Sequence, residues 1–378
     1  MEVYPEVIRQ AFLMFPFLAF LITLPYILYN YRKYGSVMGL RILIVYSFAL
    51  YLLCIYFLVI LPLPSRAEVS GMTGRRAQLL PFHFVADILR NAEFMPGDPS
   101  SWLSVFNEAF FQVAFNVLMI VPFGIYLRYY FRCSFRKTLF LSFLLSLFFE
   151  LTQLSGLYFI YPRGYRLFDV DDLIANTAGG ALGYFMIQPF LKFLPSREKI
   201  DRASYLRGRK VSLSRRVFAF LADGICAGIC FCICAVISRK TGHALPDYFA
   251  AVLVIAYFGL LSTATRGKTI GKWMTRTQVA AIQGERARWY QYFLRYILLY
   301  GIFLLLPEAL DRLCSLLEHA GLLGAHAGFL VSALEVVFYA VYLIYAAVQV
   351  SRQRQLFYEK WSGTKIVSTV VEKPDFCG

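Results

Sequence analysis

Nine apolar runs, each long enough to cross a bilayer as a helix, constrain this chain more than any other feature of it. They fall at about 11–31, 40–61, 109–129, 138–158, 173–194, 217–238, 247–264, 290–307 and 327–350. A helix rises about 1.5 Å per residue, so roughly 20 residues cross about 30 Å of hydrocarbon. No water satisfies the backbone there, which leaves helices and closed barrels as the spanning solutions. Barrel strands alternate over about ten residues, whereas these runs are longer and continuously apolar. The chain therefore reads as an all-α, polytopic transmembrane helical bundle of about nine spans. Composition agrees: 59% of its 378 residues are hydrophobic and 16% charged, where a soluble domain carries about 25% charged.

Charge then sets topology. The first run follows Glu2 and Glu6 instead of a basic segment and has no small-residue cleavage site, so it reads as a retained span. The segments after spans one, three, five, seven and nine carry 28 of the 38 Lys and Arg. The positive-inside rule places the N-terminus outside and the C-terminus in the cytoplasm. The net charge of +15 is accounted for by these loops, and nucleic-acid binding is not implied.

A basic cluster within Pro195 to Arg216, a segment without an apolar run, divides the chain. We read residues 1–194 as a five-span domain, 195–211 as a basic cytoplasmic linker, 212–368 as a four-span domain and 369–378 as a cytoplasmic tail. The one long external loop, 62–108, contains a stretch at 79–94 with helix-like mixing of apolar and charged residues, suited to the outer membrane surface. Four of the eight Cys (Cys226, Cys230, Cys232, Cys234) share one apolar run, which reads as packing, not as a disulfide framework or metal site. A P-loop is excluded because Ser262 stands where its first glycine is required. No HExxH or GxSxG motif occurs, and no cofactor is argued.

Ionisable groups inside a span are costly and point to function. Glu150 lies in the fourth run with Gln153 one turn further out, and Asn116 lies at comparable depth in the third. The loop after the fourth run adds Arg163, Arg166, Asp169, Asp171 and Asp172, and Asn176 follows one turn into the fifth. Counted depths predict one outer-leaflet pocket with Asn116, Glu150 and Gln153 as its floor and Arg166, Asp169, Asp172 and Asn176 as its rim. Each piece also has a plainer reading. Asp171, Asp172 and Asn176 suit the N-terminus of the fifth helix, and Ala175, Gly179 and Gly183 suit a close helix seam. Glu150, Gln153 and Asn116 suit an interhelical hydrogen-bond lock.

The ordered set of Asn116 with Pro122-Phe123-Gly124, then Glu150 and Gln153, then Arg166, Asp169, Asp172, Asn176, Gly179 and Gly180, resembles the VanZ-like family over about 40–194. Its members are bacterial membrane proteins, and the founding type is associated with resistance to the glycopeptide teicoplanin. The resemblance implies a cell-envelope role toward membrane lipids, lipid-linked cell-wall precursors or such an antibiotic. Glu150, Asp169, Asp172 and Arg166 are then the catalytic candidates, and Asn116, Gln153, Arg163 and Asn176 the substrate-binding ones. Paired carboxylates serve acid-base chemistry or hold a divalent cation, and Arg binds phosphate. The residues leave catalysis and simple binding equally open, and no metal site is assigned.

In the second half Arg216 precedes Asp223 by two helical turns, about 10 Å along the axis. With the turn Gly267, Thr269, Gly271 and Lys272, these residues resemble the RDD family over about 212–368. Where many members carry Asp near the end, this chain has Glu359, followed by Lys360, Gly363 and Thr364. Transport, including cation/proton antiport, is what that resemblance implies, with Asp223 and Glu335 as the intramembrane acids; a noncatalytic scaffold is the third reading. An unpaired buried carboxylate is costly, so Asp223 is expected to pair with Arg295 at equal depth, with Arg216 as the alternative and Glu335 out of reach.

Overall fold

The computed structural model describes residues 3–92, 99–242, 244–246, 248–284, 286–320 and 327–371. Among them, seven helices are long and apolar enough to cross a membrane: Val7–Tyr34, Gly39–Ile60, Glu108–Tyr129, Phe135–Leu154, Leu213–Thr241, Trp289–His319 and Gly328–Ser351. The protein is a multi-pass membrane protein. Large apolar side chains stay uncovered on its long helices, with Phe17 at 69% and Phe20 at 80% exposure, as a lipid-facing surface requires. Two runs expected as spans form shorter helices, Val170–Met186 of 17 residues and Phe249–Ala264 of 16. The chain divides into two units. One holds residues 1–23 and 39–200, the other 24–38 and 201–378.

The first unit begins with the N-terminal part of α1 (Val3–Tyr34) and continues through α2 (Gly39–Ile60), α3 (Arg66–Gly71), α4 (His83–Arg90), α5 (Glu108–Tyr129), α6 (Phe135–Leu154) and the single turn α7 (Gly156–Phe159). It closes with α8 (Val170–Met186) and the start of α9 (Arg197–Arg209). Side chains define the helix starts: Asn107 accepts from Phe110 N at 3.2 Å and Ser134 from Lys137 N at 3.4 Å, satisfying N–H groups that no preceding turn reaches. Ile55, Met119, Ile120, Phe123 and Phe149 form the core. Glycine sets how closely α5 and α8 approach. A Cβ on Gly179 would lie 2.2 Å from Val117 O, one on Gly183 2.0 Å from Val121 O, and one on Gly124 2.1 Å from Gly180 O. The small-residue seam read from spacing is thus a backbone-to-backbone contact, and it aligns the polar positions of the two helices. A two-residue parallel ladder joins β1 (Ala77–Gln78) to β2 (Phe168–Asp169).

The second unit takes in the end of α1 and α9. The stretch read as a basic cytoplasmic linker is helical from Arg197 to Arg209, and Ser204 and Tyr205 on it are buried. Tyr205 packs on Tyr34 with ring centroids 5.0 Å apart, and Gly208 lies directly against Tyr34 O. These three share one helical face, which the segment's average charge conceals. Then follow α10 (Leu213–Thr241), α11 (Phe249–Ala264), α12 (Ile270–Met274), β3 (Thr277–Ala281) and α13 (Trp289–Tyr296). A π-helical stretch, Ile297–Leu305, leads into α14 (Leu306–His319). The chain continues through α15 (Ala327–Ser351), α16 (Phe357–Trp361) and β4 (Thr364–Ser368). β3 and β4 pair antiparallel, Thr277 opposite Ser368 and Ala281 opposite Thr364. Phe258, Val279, Tyr292, Tyr296 and Tyr300 form the core. Among the described residues, the two small ladders are additions to the all-helical reading, and all four of their strands lie outside the long apolar helices.

Candidate functional site

In the first unit, α5, α6 and α8 bring one polar group together. Asn116 Nδ2 on α5 donates to Asp172 Oδ1 on α8. Glu150 on α6, 3% exposed, accepts at Oε2 from the backbone N–H of Asp169 at 3.0 Å. Asn176 Nδ2 donates to Ser146 Oγ at 2.9 Å. Arg166 Nη1 and Gln153 Nε2 each donate to Val59 O at 2.9 Å. Asn116, Glu150, Gln153, Arg166, Asp169, Asp172 and Asn176 all line a single cavity of about 1420 Å³. Its remaining wall is largely apolar, with Leu58, Phe111, Phe115, Leu118 and Met119 among the lining residues.

Two sequence readings of this region change. Arg163 is absent from the cavity wall; its guanidinium donates to the carbonyls of Met72 and Gly74 and ties down the loop after α3. The cap of α8 is Asp169, which accepts from Asp171 N at 2.8 Å, not Asp171 or Asp172. Asp171 instead accepts from the backbone N–H groups of Phe82 and Phe84 at 2.6 and 2.9 Å, clamping the start of α4. Burial pushes the Asp169 carboxyl above the usual carboxylate range, opposed by the hydrogen bond from Asp171 N–H. Two site residues escaped the sequence reading: Glu108, which joins the cavity wall from the first turn of α5, and the fully buried Ser146. Serine one turn before a buried Glu on the same helix was the available signal for the latter.

In the second unit Asp223 is fully buried. It accepts from Thr269 Oγ1, from Gly271 N at 2.8 Å and from the Tyr257 hydroxyl at 3.2 Å, with Lys272 Nζ 3.8 Å away. The expected pairing with Arg295 is therefore wrong. Arg295 donates to Glu359 Oε1 at 3.1 Å and to Thr364 Oγ1 at 2.8 Å, and Arg216 donates to the same Glu359 oxygen at 2.8 Å. Depth counting placed Asp223 and Arg295 at one height but carried no angular information. The α12 turn decides the angle, because Gly271, whose Cβ would sit 2.0 Å from Ala219 O, lets Thr269 and Lys272 press against α10. Glu335 is half-buried, and its Oε1 has no hydrogen-bond partner. Asp223, Lys272, Arg216 and Arg295 lie at the edge of a second, largely apolar cavity of about 880 Å³. Arg215, next to the expected Arg216, is fully buried and donates to Gly208 O at 2.7 Å and to the carbonyls of Thr275 and Arg276.

These two constellations correspond to two families. Residues 48–192 match the VanZ/LLP1 family model and residues 210–363 the RDD family model. The chain is a VanZ-like segment followed by an RDD-family segment. Neither the curated proteins nor the solved structures gave a match. The cavity of about 1420 Å³ lies in the VanZ-like segment, and the Asp223 and Glu359 networks lie in the RDD-family segment. Among the described residues, no group of three or more His, Cys, Asp or Glu side chains is arranged to hold a metal ion.

Proposed function

We propose that the VanZ-like segment engages the headgroup of a lipid or lipid-linked envelope precursor in a bacterial membrane, from the outer leaflet. The observation that carries this reading is the amphipathic cavity. Polar side chains from α5, α6 and α8 and apolar side chains of α2 and α5 line one and the same space. A lipid presents the same combination of polar and apolar surface, and Arg166 supplies a guanidinium suited to a headgroup phosphate. Glu150 and Asp172 are the acid-base candidates should a reaction occur there. A teicoplanin-type glycopeptide, implied by the VanZ-like resemblance, is the other candidate ligand.

In the RDD-family segment, both Asp223 oxygens accept hydrogen bonds and Lys272 lies alongside. A carboxylate so engaged supports a packing lock over a carrier of protons or cations. The test is a deletion strain complemented with Glu150→Gln, Asp172→Asn or Asp223→Asn, scored for lipid-linked precursor pools and teicoplanin susceptibility. Loss confined to Glu150→Gln and Asp172→Asn at normal abundance is expected. Full complementation by both would reduce the cluster to a helix lock.

A further inference from the structure

The cavity of the VanZ-like segment is lined by more carboxyl groups than basic ones, which a phosphate ligand alone does not explain. Glu108, Glu150, Asp169 and Asp172 line it, against the single guanidinium of Arg166. A neutral acceptor joins the acids. Asn176 is 4% exposed, lines the cavity and leaves its Oδ1 without a hydrogen-bond partner. In the structure Asn176 Nδ2 donates to Ser146 Oγ at 2.9 Å, and the Ser146 hydroxyl faces Asp172 O at 3.4 Å. The amide oxygen is the free end, and a buried acceptor calls for a donor.

We propose that this site selects a headgroup bearing a primary ammonium, as in a zwitterionic aminophospholipid, with the ammonium among Glu150, Asp172 and Asn176 and the phosphate at Arg166. The proposal rests on the headgroup-binding reading above and names the substrate class within it. A primary ammonium presents one positive charge and three N–H donors, which match the oxygens of Glu150, Asp172 and Asn176. A quaternary ammonium carries the charge without the donors. A bare divalent cation is disfavoured because no three acidic, His or Cys side chains among the described residues are arranged to hold one.

The test titrates the full chain in detergent with short-chain phosphatidylethanolamine, phosphatidylcholine and phosphatidylglycerol, each with and without chelator. Phosphatidylethanolamine should bind about tenfold tighter than the other two, the size expected when one charge-assisted hydrogen bond is gained. Asp172→Asn should abolish that preference, and Glu150→Gln serves as the second variant where Asp172→Asn fails to fold. Glu308→Gln, at a half-buried charge that does not line the cavity, should keep it. Equal affinity for phosphatidylethanolamine and phosphatidylglycerol would overturn the ammonium proposal and leave headgroup binding standing. So would phosphatidylcholine binding equally well, or phosphatidylglycerol binding that vanishes with chelator. Binding of none of the three would overturn the headgroup reading itself.

Discussion

Removing Glu359 should destabilise the RDD-family segment more than any surface substitution. Its side chain is 1% exposed, and one oxygen, Oε1, accepts from both Arg216 at 2.8 Å and Arg295 at 3.1 Å. Oε2 accepts from Leu356 N at 3.2 Å, closing the first turn of α16. Breaking a buried pair by deleting one partner costs about 3–5 kcal/mol, because the remaining charge stays buried. Arg295, at 2% side-chain exposure, bears that cost nearly in full, whereas Arg216 at 16% is partly hydrated. Glu359→Ala should therefore fall in that range and Glu359→Gln at its lower end, since an amide oxygen still accepts one guanidinium.

At about 2–4 °C per kcal/mol for a unit of this size, about 3 kcal/mol lowers the melting midpoint of the detergent-solubilised chain by roughly 6–12 °C. Acidity gives a second handle. Burial alone would raise the Glu359 carboxyl, but Arg295 and Arg216 more than offset it and hold it below its ordinary value of 4.5. A depressed carboxylate contributes stability above the unfolded value, and that contribution is lost as pH falls through the folded one. The wild-type midpoint should thus drop below about pH 4.5 by an amount that Glu359→Gln lacks. Replacing all three residues together, Arg216→Met, Arg295→Met and Glu359→Leu, should recover most of the loss, because no uncompensated charge remains. A wild-type midpoint for Glu359→Ala, or a triple variant no better than the single one, would refute this account.

Asp223→Ala should cost about 3–5 kcal/mol by stranding Lys272 beside a lost carboxylate, and Asp223→Asn less; equal midpoints for wild type and Asp223→Ala would contradict the lock. Gly183→Ala places a methyl against Val121 O, where the added carbon would lie 2.0 Å away. It should cost roughly 1–3 kcal/mol by overpacking, read as a lowered midpoint, while Gly224→Ala, with open space around it, should not. For topology, a membrane-impermeant thiol reagent should label Ser70→Cys from outside and leave Ser134→Cys unlabelled. The reverse pattern would invert the first unit and move its cavity to the cytoplasmic leaflet. Gly321, the corresponding position in the second half, lies outside the described residues.

The length of the apolar runs and the composition determined the membrane-embedded helical class. A continuously apolar run has one backbone solution in hydrocarbon, so helices such as Gly39–Ile60 and Glu108–Tyr129 fall within one or two residues of the runs read from sequence. The convergence of Asn116, Glu150 and Asp172 was legible for a related reason: short connections make neighbours antiparallel, and rise per residue fixes depth. Partners were not legible. Depth says nothing about rotation around a helix axis, and rotation is set by where backbones touch. Gly271 against Ala219 turned Lys272 toward Asp223, and the folding of α16 onto α13 brought Glu359 to Arg295. Arg163 left the site for the same kind of reason, because Met72 O and Gly74 O, some ninety residues earlier in the chain, lie within its reach only after folding. Local chemistry thus fixed the elements and their heights, while close packing at a few glycines chose which charges meet.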